Sequence, residues 1–189
     1  MKSTLKNAAY LVILVAAAVA GCKGKEKTPK GETEVIIPCS GPDYFTNNKV
    51  FRANSSGESM DMNVAKQKAR SNAEGELARS IQVTVKAVTD NYVNSREMNN
   101  KEEVEERFEA LNRQVVEQTL QGVRIICEKN VKTAQNTYKT YLAIELSADE
   151  LVKKYNERLS TDERLKIDYD YEKFKDTFEK EMEKRKTGN

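Results

Sequence analysis

The side chains able to do chemistry in this 189-residue chain are few, and what is missing narrows the choice. The only thiols are Cys22, Cys39 and Cys127, and there is no histidine or tryptophan. Without an imidazole, a Ser-His-Asp triad, a His-dependent zinc site and a His general base are excluded. Serines are plentiful, but none sits in a Gly-x-Ser-x-Gly elbow. Gly57 and Gly75 lie too far apart to make a phosphate-cradling loop. The best group of carboxylates is Asp168-Tyr169-Asp170-Tyr171-Glu172. On a helix Asp168 and Glu172 share a face and together attract a divalent cation. An oxygen-ligand site, however, takes six or more ligands on a shaped loop, and the calcium-loop pattern with its central glycine is absent. The group therefore reads as a solvated acidic face, as do Glu102-Glu103 and Glu105-Glu106. No catalytic residue, metal site or cofactor is assigned, and the chain is expected not to be an enzyme.

The thiol with assignable chemistry is Cys22. It follows Val19-Ala20-Gly21, an apolar stretch from Ala8 to Ala20, and the basic Lys2 and Lys6. A basic start, a short apolar run and small residues before a cut describe an export signal. The run is shorter than the ~20 residues a spanning helix needs. A cysteine directly after the cut resembles the lipobox of bacterial lipoproteins, with Val19 where leucine is commoner. The resemblance implies that Cys22 becomes the lipidated first residue, carrying palmitate-type chains into the bilayer. Each buried methylene contributes about 0.8 kcal/mol, and stable attachment takes two acyl chains. The expected address is the bacterial cell envelope. Lys23 is not the aspartate that resembles an inner-membrane retention signal, so the outer membrane is the expected membrane.

Removing residues 1–21 from 189 leaves 168, enough for one domain with a real core. The signal takes two of the 32 basic residues and no acid, leaving 30 basic against 30 acidic. Such a balance argues against a nucleic-acid partner. Residues 23–34, KGKEKTPKGETE, have the composition of a tether with a span of ~20 Å. The exported compartment permits a disulfide between Cys39 and Cys127; two buried thiols are the other reading, and spacing leaves both open.

These residues are positioned by a chain that reads as α+β. Ser40-Gly41-Pro42-Asp43 is a turn and Val50–Ser59 a strand ending through Ser56-Gly57. Asp61 caps a helix through about Ser80, whose Ala65, Ala69, Ala73 and Leu77 share one face and let it lie close on a sheet. Ile81, Val83, Val85 and Ala87 alternate with polar residues, which predicts a half-buried strand. Residues 100–121 make a helix with Val104, Phe108, Leu111, Val115 and Thr119 in one stripe, ended by Gly122. Residues 123–132 and 137–147 form a hairpin. A two-residue turn at Gln135-Asn136 would place Cys127 opposite Ile144, Ile125 opposite Leu146 and Lys129 opposite Leu142, with Cys127 on the apolar side. Ser147-Ala148-Asp149-Glu150 and Ser160-Thr161-Asp162-Glu163 are capping boxes that start two successive helices. In the last helix Ile167, Tyr171, Phe174, Phe178 and Met182 form a stripe. It packs on its own domain or contacts a partner.

From Phe51 to Leu159 the chain resembles the Lpp-twenty-like family of bacterial lipoproteins. The resemblance rests on the Gly57-Glu58-Ser59 strand end, "VAKQKARSNAEGELARSI", "QTLQGVRIICE" and "YLAIELSADEL". It implies a compact α+β domain with helices packed on a small, mostly antiparallel sheet. It also implies an envelope-anchored, non-enzymatic protein, with no catalytic residues to assign. The expected organisation is a signal peptide at 1–21, a lipidated tether at 22–34, the α+β domain at 35–159 and a C-terminal amphipathic helical extension at 160–189. The expected role is structural or protein-binding, with the lipid bilayer held through Cys22 and a second copy or an envelope protein as partner. The runner-up is a small-ligand or hydrolytic module built on the polar loop Asp43–Asn48, which requires a defined pocket with convergent polar groups.

Overall fold

A computed structural model describes residues 31–33, 35–95, 101–162 and 169–187. The expected signal peptide, Cys22 and most of the expected tether lie outside the described residues. Residues 1–36 separate from 37–189 as a unit of their own. Every described helix and strand belongs to the second unit.

The order of elements is β1 (Val50–Ser59), α1 (Met62–Asn94), α2 (Lys101–Thr119), β2 (Arg124–Lys132), β3 (Tyr138–Ser147), α3 (Ala148–Leu159) and α4 (Tyr171–Thr187). The three strands form one antiparallel sheet in the order β1-β3-β2. Helices cover one face of it, so the α+β architecture expected from the sequence is the one observed.

The seam between β1 and α1 is built from small residues. Ala65, Ala69 and Ala73 are fully buried. The backbones approach so closely that Ser55 Oγ donates to the Ala69 carbonyl at 2.5 Å. A Cβ on Gly57 would run into backbone atoms of Ala65 and Ala69. Asp61 caps α1 by accepting from Val64 N at 3.0 Å, and Ser147 caps α3 by accepting from Glu150 N at 3.4 Å.

The strand expected over residues 81–87 is instead the continuation of α1, which runs 33 residues without a break. Ile81, Val85, Val88 and Tyr92 are buried while Val83 is 60% exposed. A short alternation of apolar residues fits either period. Helical spacing buries more large side chains here, each contributing ~1.5–3 kcal/mol, against a propensity cost of at most about 0.7 kcal/mol per β-branched residue. Thr84 Oγ1 adapts by donating to the Ser80 carbonyl at 2.9 Å.

The hairpin register also differs from the expected one. Cys127 pairs with Ala143, Ile125 with Ile144 and Lys129 with Tyr141, with an irregularity between Ile125 and Cys127. Thr133 N donates to Thr137 O, and Asn136 sits at φ 65. The loop is therefore three residues, Ala134 to Asn136, with asparagine in the left-handed position such loops require. One added residue moves Cys127 off the helix-covered face, because side chains alternate along a strand. Gly122 closes a short 3-10 turn, Leu120–Gly122, with a φ outside the left-handed region.

The C-terminal stripe belongs to the core. Phe174, Phe178 and Met182 are buried. Phe174 lies against Tyr92, Tyr155 and Tyr169, and Phe178 against Phe51. Of the residues read as a candidate partner contact, only Tyr171 is exposed; Ile167 lies outside the described residues. Burying three large side chains outweighs any gain from offering them to a partner, so α4 is part of the domain rather than an extension beyond it. Ser160 closes α3 as its C-cap, and residues 163–168, where the second capping box would continue into a helix, lie outside the described residues.

Candidate functional site at the sheet edges

The face of the sheet away from α1 carries Arg52, Glu145, Ala143 and Cys127, which are cross-strand neighbours. A strap from Ile37 to Lys49 crosses it. Cys39 and Cys127 are joined in a disulfide with Cα atoms 5.5 Å apart and a sequence separation of 88. Of the two readings of these thiols, the structure holds the disulfide. Cys39 adopts φ 56, a left-handed conformation in the turn at Pro38 and Cys39.

Glu145 is the best-placed carboxylate of this face, and its side chain is about 10% exposed. Arg52 holds one oxygen, Oε2, with Nε at 2.8 Å and Nη2 at 2.7 Å. Arg124 Nη2 holds the other, Oε1, at 2.9 Å. With both oxygens occupied by guanidinium groups, Glu145 is a structural anion rather than a base offered to a substrate. The acidic group near the C-terminus is also spent on structure. Asp170 Oδ1 accepts from Lys173 N at 3.1 Å at the start of α4, and Asp170 N donates to Tyr92 Oη at 2.8 Å. Asp168 lies outside the described residues, and among those described no cluster of three or more metal-ligating side chains occurs. Burial pushes the Tyr155 and Tyr169 hydroxyls well above their usual range, so both stay neutral. Tyr155 Oη donates to Asn112 Oδ1 at 2.9 Å.

The two sheet edges are treated in opposite ways. Along β1 the even-numbered residues turn their N–H and C=O groups outward, and side chains close most of them. Thr46 Oγ1 accepts from Arg52 N at 2.9 Å and donates to Arg52 O at 3.1 Å. Asn47 exchanges bonds with Val50 through its Oδ1 and its N–H. Asn72 Nδ2 covers Ser56 O at 3.2 Å, and Lys68 Nζ covers Glu58 O at 3.1 Å. Such blocking is how an edge strand is kept from pairing with another chain.

The β2 edge is open. It is nine residues long, all but Cys127 are exposed, and Ile125, Ile126 and Val131 present apolar surface. The Thr133–Thr137 bond sets the parity, so Glu128, Asn130 and Lys132 point their backbone groups away from β3. No described residue bonds those groups. Their side chains share the inner face. Thr140 Oγ1 donates to Asn130 Oδ1 at 2.7 Å, Lys132 lies over the Tyr138 ring, and Lys66 Nζ pairs with Glu128 Oε1 at 2.7 Å. The bond from Lys66, and then that from Asn130, hold the Glu128 carboxyl below its usual range, so it is ionised at neutral pH.

Sequence reasoning located both strands of the hairpin and missed that one is an open edge. The available signal was the low apolar content of Arg124–Lys132 beside Tyr138–Ser147. No family model, curated protein or solved structure matches this chain. Among the described residues no helix is long and apolar enough to cross a membrane.

Proposed function

We propose that this chain is a lipid-anchored, non-enzymatic protein of the bacterial cell envelope, related to the Lpp-twenty-like lipoproteins, whose role is to bind protein at the membrane through β2. The observation that carries the protein-binding role is the open β2 edge in a sheet whose other edge is largely covered by side chains. Adding a strand to such an edge supplies main-chain hydrogen bonds without demanding a pocket.

The partner that fits is a second copy of the chain. A two-fold antiparallel pairing centred on Asn130 sets Glu128 opposite Lys132 of the other copy, twice, on one face. Opposite charges directly across a pair stabilise by ~0.2–1 kcal/mol each. Glu128 Oε2 has no partner among the described residues and is free for this contact. Centring the axis on Glu128 would oppose two carboxylates, which disfavours that register. Copies anchored in one membrane also meet at a raised effective concentration.

Sedimentation of the chain in mild detergent is expected to show dimers. Glu128→Lys and Lys132→Glu, each turning two attractions into repulsions, are expected to weaken association about tenfold or more. The double exchange should recover it. A monomer at every concentration, or single variants that associate like the parent chain, would sink this reading. The anchor has a separate test. Cys22→Ala is expected to move the protein almost entirely out of the membrane fraction, because no acyl chain then holds it. Unchanged fractionation would remove Cys22 as the attachment point.

A further inference from the structure

Along the β1 edge Asn54 is the residue with both outward backbone groups uncovered by any described residue, and it opens into a cavity. Between Thr46, which covers Arg52, and Asn72, which covers Ser56, the outward N–H and C=O of Asn54 meet no described residue. The gap spans roughly 13 Å of edge from Arg52 to Ser56, at ~3.3 Å per residue. Asn54 lines a cavity of about 540 Å³ between the strap, the edge of β1 and the last turns of α4. That size falls in the usual range for small-ligand sites, ~300–1,000 Å³. Its wall carries the aromatic rings of Tyr44 and Phe45, of which Phe45 is half exposed.

The lining is cationic. Arg52, Lys184 and Arg185 face it against a single carboxylate, Glu181. Arg52 is engaged by Glu145, and Lys184 Nζ lies 2.5 Å from Glu181 Oε1. Arg185 has no hydrogen bond or ion pair among the described residues, so its planar fork is the group left to take an anion. A strand residue with free backbone groups and an unbonded guanidinium in one pocket call for a ligand that carries both an amide and a carboxylate. An extended peptide end has both.

We propose that this cavity binds short peptides, or chain ends, that terminate in a free carboxylate. The penultimate region of the peptide exchanges N–H···O bonds with Asn54, as an added strand residue does, and the carboxylate takes Arg185. Thr46, by covering both groups of Arg52, and Asn72, by covering the Ser56 carbonyl, restrict the bound segment to about three residues.

Calorimetric titration of the full chain in mild detergent with trialanine free acid is expected to show saturable binding. Trialanine amide keeps the peptide bonds and loses the carboxylate, and should bind about tenfold more weakly; Arg185→Gln should weaken the free acid by a similar factor. Asn54→Pro removes an N–H that faces away from β3, leaves the ladder intact and should abolish binding; thermal melting of this variant checks that it folds. A carrier protein ending in Ala-Ala-Ala that binds as well as the tripeptide assigns the site to chain ends, and tripeptide binding without carrier binding assigns it to free peptides. Either sustains the proposal. No saturable heat with the free acid up to about 10 mM would overturn it. So would acid and amide binding alike, with Arg185→Gln unchanged. Dimerisation at β2 does not enter any of these outcomes.

Discussion

Replacing Gly57 by alanine is expected to lower the stability of the domain by about 3 kcal/mol, which is a fall of roughly 6–12 °C in Tm for a domain of this size. The added methyl meets the Ala65 carbonyl oxygen, the Ala69 amide and, at 2.7 Å, the Lys68 Cβ. Two of these are backbone atoms of a helix held by its own hydrogen bonds, so neither side can yield as a side-chain tip would. To make room, α1 must rise from β1. That loosens the contacts of Ala65, Ala69 and Ala73 and the Ser55–Ala69 bond together. Gly75 gives the contrast. Its added Cβ meets only the end of Arg79, at 3.9 Å. Gly75→Ala should raise stability by about 0.5–1 kcal/mol, because glycine in a helix interior carries an entropic cost. Calorimetric melting of the two variants should therefore move in opposite directions. If Gly57→Ala melts with the parent protein, the close seam between β1 and α1 is wrong.

Opening the Cys39–Cys127 disulfide is expected to cost about 4 kcal/mol. The bond closes a loop of 88 residues, and in the chain-entropy account a loop near that length restricts the unfolded chain by roughly 4–5 kcal/mol. Most of the effect lies in the unfolded state. The folded state loses something as well, since the strap is held to the outer face at one end by this bond and at the other by Thr46 and Asn47. Cys39→Ser with Cys127→Ser, or dithiothreitol added to the parent chain, should lower Tm by roughly 8–16 °C. Hydrogen exchange at the Arg52 amide should speed up, as its bond to Thr46 depends on the strap. Reduced and oxidised protein melting within about a degree of each other would contradict this. So would ready alkylation of Cys39 and Cys127 in the folded protein without reductant.

Much of the fold was legible because it is written in local patterns. The alanine stripe of α1 announces a close packing that no larger side chain permits. The stripe Val104, Phe108, Leu111, Val115 and Thr119 states one buried face, and α2 forms as read. The capping serine of α3 and the aspartate ahead of α1 mark starts that depend only on neighbours in sequence. Residues 81–87 were misleading for the opposite reason: seven residues with alternating apolar side chains satisfy two periods. The choice fell to what lay nearby to bury against. The candidate surfaces were barely legible. Whether Arg124–Lys132 is central or an edge depends on strand order, which no local pattern encodes. The gap at Asn54 exists only because Thr46 and Asn72 arrive from elsewhere in the chain.

Composition and local order alone established which side chains this protein has to work with. A chain without histidine has no imidazole to act as acid, base or metal ligand, and composition alone carries that statement. A cysteine after a short apolar run and small residues marks an expected lipid attachment, since such signals are read as linear strings. Helix and strand periods then specified an α+β domain. The fold as a whole decided that Cys39 and Cys127 meet, that the last helix completes the core, and that one sheet edge is largely covered while the other is open. Those outcomes depend on contacts between residues as far apart in sequence as Phe51 and Phe178, and such contacts are set by the packing of the whole domain rather than by any segment of it.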